Sequence, residues 1–203
     1  MKKLALAASL ALAFCASAQA DVLTTTFAYN NGHNGNMFDV VTKAKALTVT
    51  GFDLNLSFGT HTIELYRKNG SWLGAPTDSS AWSLVDTALL AGNGAGQATF
   101  FDVADFGMAA SSMTGLYITV ATGGSLNYSD GTRIGNIYTQ DDNMIILEGA
   151  GNAYAFGDVF EPRVWNGSIH YQVAASEVPE PGSLALLGLG MAGLGMLRRR
   201  KQG

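Results

Sequence analysis

Cysteine is nearly missing from this sequence. The single one, Cys15, falls in an N-terminal apolar run expected to be removed. A chain that loses it has no disulfide, no cysteine nucleophile and no thiolate zinc site. Histidine is also scarce. His33, His61 and His170 are far apart and form no H-E-x-x-H pair. No G-x-S-x-G elbow and no G-x-x-x-x-G-K-[ST] loop occurs, so the usual nucleophile turn and phosphate cradle are missing. Positive charge is thin as well. Residues 21 to 177 hold six Lys and Arg against 15 Asp and Glu, because the other basic residues lie at the two ends. An acidic surface argues against nucleic acid as a partner. Long apolar runs are confined to the two ends, and the middle shows no sustained helical period.

What is present is most legible at the N-terminus. Lys2 and Lys3 precede an Ala- and Leu-rich run from Leu4 to Ala16, followed by Ala18-Gln19-Ala20. Small residues at Ala18 and Ala20 are what signal peptidase reads, so cleavage is expected between Ala20 and Asp21. The run falls well short of the ~20 residues a membrane span needs. Phe14 before Cys15 disfavours a lipoprotein site. Residues 1 to 20 therefore read as a signal peptide.

The other end has three parts in order. Val178-Pro179-Glu180-Pro181 is held extended by its prolines. Residues 182–197 are uncharged and rich in Leu, Gly, Ala and Met. Arg198, Arg199, Arg200 and Lys201 then form a basic stop. An apolar helix of 16 residues spans ~24 Å at 1.5 Å rise, short for a permanent anchor. Its basic end is expected to stay cytoplasmic.

This order resembles the PEP-CTERM sorting signal over residues 177–203. The resemblance implies recognition by an exosortase, an integral membrane cysteine protease-transpeptidase, which cuts near Pro179-Glu180-Pro181. It further implies a Gram-negative, exopolysaccharide-producing cell. The protein would be held transiently in the inner membrane and then reach the cell surface or biofilm matrix. In this reading Val178 to Pro181 are substrate.

Residues 21–176 make one domain's worth of chain. Residues 47–56 and 61–66 alternate apolar and polar side chains with period two. Further strands are expected at 24–27, 81–90, 97–103, 116–121, 144–147 and 163–173, with a helical turn within 105–115. Gly- and Asn-rich turns between them predict an all-β fold, a β-sandwich of jelly-roll type. The blocks Gly35 to Val40, Thr50 to Asp53, Ile63 to Tyr66 and Phe160 to Gly167 resemble uncharacterised secreted bacterial β-sandwich domains. That resemblance supports the fold and implies no activity.

The chemistry expected of this domain is slight. No cofactor is expected. Calcium is the one inorganic candidate, at Asp141 and Asp142, because hard cations seek clustered oxygens. Trp72, following the Asn69-Gly70-Ser71 turn, and Tyr128 are the candidate sugar contacts. Trp82 and Trp165, in expected strands, are assigned to the core. The leading expectation is a non-catalytic surface or matrix protein. The alternatives are a carbohydrate-binding module and a secreted hydrolase with paired carboxylates.

Overall fold

The computed structural model describes residues 20–174. The signal segment before Ala20 and the whole sorting tail lie outside the described residues.

Fourteen strands and one 3-10 turn occupy this span. In chain order they are β1 (Ala20–Thr24), β2 (Asn31–His33), β3 (Gly35–Thr42), β4 (Leu47–Asn55), β5 (Gly59–Asn69), β6 (Ser83–Gly92), β7 (Ala98–Met108), β8 (Met113–Thr122), β9 (Leu126–Asp130), β10 (Ile137–Gln140), β11 (Met144–Leu147), β12 (Gly149–Asn152), β13 (Val159–Trp165) and β14 (Gly167–Val173). Four form one sheet in the order β1-β14-β4-β7. The other sheet runs β2-β9-β13-β12-β3-β8-β5-β6, and the β10–β11 hairpin joins it at β3. All pairings between these strands are antiparallel.

The order β1-β14-β4-β7 against β3-β8-β5-β6 has the chain stepping repeatedly from one sheet to the other. This is the jelly-roll arrangement. Strands β9 to β13 are inserted between β8 and β14 and widen the second sheet.

Period-two alternation sets the core. In β4, Leu47, Val49, Phe52 and Leu54 point inward, and in β7 Phe101, Val103 and Phe106 do so. They meet Phe38, Val40, Ile63, Leu65, Leu116 and Ile118 from the facing sheet. Trp165 stacks on Phe38 at 4.6 Å between ring centroids and meets Phe52 edge-on at 6.0 Å.

The larger sheet has a second apolar layer on its other face. Met37, Tyr117 and Ala150 of the sheet pack there with Phe156 against Trp72 and Trp82, which the segment between β5 and β6 carries. One carboxylate fastens that segment. Asp39, only 4% exposed, accepts from Trp72 N at 2.8 Å and from Ser71 Oγ at 2.5 Å. Burial pushes its carboxyl up from the ordinary 3.8, and the Ser71 and Trp72 hydrogen bonds and nearby Lys68 partly offset this.

A raised folded-state value means this group's contribution to stability is complete below the unfolded pKa. It is lost as pH rises through the folded one. Urea unfolding of the native chain is expected to show that decline, and Asp39→Asn to remove it. Asp39→Ala, which leaves two donors without an acceptor, is expected to cost about 1–3 kcal/mol. A native pH profile identical to that of the Asn variant would exclude this role.

The structure corrects four sequence expectations, the first being the strand expected at 24–27: only Thr24 lies in a strand, as the last residue of β1. The run 163–173 is two strands rather than one, because the chain changes sheet at Asn166-Gly167. Asn166 Nδ2 anchors the corner to Ala28 O at 2.8 Å, and a Cβ on Gly167 would lie 2.3 Å from Asp53 O. Residues 105–115 hold no helical turn: β7 extends to Met108 and β8 begins at Met113. Among the described residues the 3-10 turn is Ser79–Ala81, capped by Asp78 accepting from Ser80 N. Trp82 lies just after that turn and before β6.

Candidate functional site

The candidate sugar contacts chosen from sequence are not available to a ligand. Trp72 is 1% exposed inside the second apolar layer, with Gly115 pressed against its backbone. Its position after a turn suggested exposure, but the turn folds back over the sheet and carries the indole inward. Tyr128 is also 1% exposed. Its ring lies where a Cβ on Gly151 would sit, 2.5 Å from the hydroxyl, and Arg163 stands 5.9 Å from the ring centroid. Both are corrected to structural residues. Trp82 and Trp165 are buried, as expected of core residues.

Asp141 is committed to its own turn. Oδ1 accepts from Asn143 N at 2.7 Å and Met144 N at 2.8 Å, and Oδ2 accepts from Tyr171 Oη at 2.6 Å. Burial, with the adjoining Asp141 carboxylate, pushes the Tyr171 phenol up. Asp142 is exposed beside it. Among the described residues, no group of three or more His, Asp or Glu side chains is placed to hold a metal ion.

The histidines are separate in space as in sequence. His33 packs on Phe160 at 4.9 Å, and His61 is buried against the Ser57-Phe58 backbone. A cleft of about 340 Å³ opens where β5 and β7 end and β8 begins. Arg67, Asn69, Met108, Ser112 and Met113 contribute to its wall, and no Asp or Glu lines it. It therefore lacks the two carboxylates that glycoside hydrolysis requires.

A different surface carries chemistry that the sequence did not single out. On the outward face of the four-stranded sheet, Phe100 of β7 stands opposite Asp53 of β4, and Asp102 stands opposite Gly51. The sequence neighbours Phe52, Leu54 and Phe101 point into the core, so these side chains point away from it. Phe100 leans onto Gly51: a Cβ there would lie 2.8 Å from two of its ring atoms. The ring is still 52% exposed.

His170, opposite Gly51 on β14, meets Phe100 edge-on at 5.2 Å and donates from Nε2 to Asp53 Oδ2 at 2.8 Å. Phe100, Asp53 and His170 come from three strands distant in sequence. Their only local sign was Phe100-Phe101, two aromatics in a strand where alternation lets one point inward.

Of the residues linked to sorting, Ala20 and Asp21 are the first two of β1, opposite Gln172 and Tyr171. Ala18, Val178 to Pro181 and the basic run Arg198 to Lys201 lie outside the described residues.

No curated protein matches the chain. One solved structure with detectable similarity is the infectious bursal disease virus VP2 subviral particle, at 9% identity and a TM-score of 0.28. The match covers 87% of this chain and 49% of that one, so this chain spans about half its length. The tail matches a family model directly: residues 177–201 are a PEP-CTERM protein-sorting motif.

Proposed function

We propose that this chain is a non-catalytic exported surface or extracellular-matrix protein, sorted by an exosortase and associated with the exopolysaccharide of a Gram-negative biofilm. The observation that carries the reading is the sorting motif at residues 177–201. The apolar stretch 182–197 and the basic run 198–201 are the parts that would hold the tail in the inner membrane while the enzyme cuts.

The fold is compatible with both cuts. Signal peptidase cleavage before Asp21 removes only the first residue of β1. Beyond β14 the described chain has one more sheet-like contact, from Ala174 N to Ala46 O at 2.9 Å. A cut near Pro179-Glu180-Pro181 therefore falls after every described strand and would release a complete domain.

The test is the intact mass of the protein from native cells and from a strain lacking the exosortase. The expected product starts at Asp21 and ends within Pro179 to Pro181 in the native strain only. Added mass at that end would mean attachment to a glycan or lipid. A chain reaching Gly203 in both strains would refute exosortase processing. Deleting residues 178–203 is expected to change where the protein accumulates, and unchanged surface display would exclude the sorting role.

A further inference from the structure

The outward face of the four-stranded sheet combines an aromatic plate with carboxylates, and the one basic side chain on its strands is His170. Strands β1, β4, β7 and β14 contain no Lys or Arg. Their outward positions include Asp53 and Asp102, on either side of the half-exposed Phe100 ring. Asp53 is directly across from Phe100, and Asp102 is two residues along the same strand, ~7 Å away at strand rise. His170 holds Asp53 by Oδ2 and packs edge-on against Phe100, so both are positioned by a third side chain.

The geometry points to a polysaccharide with free amino groups as the ligand of this face, a choice that rests on the matrix-protein reading above. A pyranose ring presents an apolar C–H surface that stacks on an aromatic face, which suits Phe100. An ammonium group on the same sugar would reach Asp53 or Asp102 and gain further from the ring quadrupole. A polyanion would be repelled by a face whose strands carry two outward carboxylates and, besides His170, no basic side chain. A lysine-rich peptide would offer the ammonium but not the flat C–H face that a pyranose lays on the ring.

The experiment is isothermal titration of the protein recovered from native cells with a glucosamine hexamer, and in parallel with an N-acetylglucosamine hexamer. The glucosamine oligomer is expected to bind in a salt-dependent manner and the acetylated one to bind far more weakly. Phe100→Ala is expected to lower affinity about tenfold. Asp102→Asn is expected to weaken binding several-fold and reduce its salt dependence. Phe58→Ala, which removes an 85% exposed ring elsewhere, should leave binding unchanged.

Circular dichroism of each variant confirms the fold. No binding of the glucosamine hexamer, equal binding of both hexamers, or wild-type affinity in Phe100→Ala would each overturn the inference. Failed titration with normal tail processing removes this inference alone. A tail that is never processed removes the sorting reading instead, whatever the titration shows.

Discussion

Removing residues 167–203 is expected to leave the chain unfolded, whereas removing 178–203 is expected to leave its stability unchanged. The difference lies in where β14 sits. It is the last of the described strands in sequence but lies inside its sheet, with β1 on one side and β4 on the other. It pairs with five residues of β1 and seven of β4. Without it β1 loses its only partner among the described strands and β4 exposes a row of unpaired backbone groups. Ile169 and Tyr171 leave the core with it. Two such side chains represent roughly 3–6 kcal/mol of burial. Total stability for a domain is about 5–15 kcal/mol, so the loss of burial and pairing together exceeds what it can absorb.

The shorter deletion touches no described strand. Urea denaturation of both variants beside the intact chain decides the matter. A cooperative transition in the variant lacking 167–203 would show that β14 is dispensable. The same placement means that the sheet cannot close until almost the whole domain has emerged.

Trp72→Ala is expected to destabilise the domain by about 3–5 kcal/mol. The indole fills the second apolar layer with Trp82, Tyr117 and Met37, and its backbone N–H is held by Asp39. Phe156 contacts Trp82 and Tyr117 at 6.0 and 4.9 Å, so a cavity at Trp72 would loosen a connected set of rings. For a domain of this size that corresponds to a fall in melting temperature of on the order of 10 °C. Calorimetry on the variant measures it. A shift of a degree or two would place Trp72 at the surface, where the sequence had suggested it. Loss of sugar binding in this variant would report lost folding and carry no information about a binding site.

Much of the architecture was readable from local pattern. Leu47 to Leu56 and His61 to Tyr66 alternate cleanly because one side of each strand faces the main core, and both proved to be strands. The sandwich followed from many such runs separated by turn residues. Strand β3, Gly35–Thr42, was not among the expected strands. Its Asn-Gly-rich start reads as a turn, and its burial on both faces erases the alternation. The corner at Asn166-Gly167 was hidden because the apolar pattern of Arg163 to Val173 continues across it.

The exposed aromatic surface was the least legible part. Period-two alternation separates one side of a strand from the other without saying which sides are covered. Phe100 faces an open side of its sheet, while Trp72 is carried by a folded-back segment onto a sheet covered on both faces.

The sequence by itself determined the sorting motif at residues 177–201 and the fold class. A sorting tail is read as a linear segment, and strand periodicity is a property of neighbouring residues. Tertiary structure alone decided that β14 completes the sheet from within, that Trp72 and Tyr128 belong to the core, and that Phe100, Asp53 and His170 meet on one face. Those outcomes depend on pairing and coverage between residues as far apart in sequence as Ala20 and Gln172, set by how the sheets pack and not by any single stretch of chain.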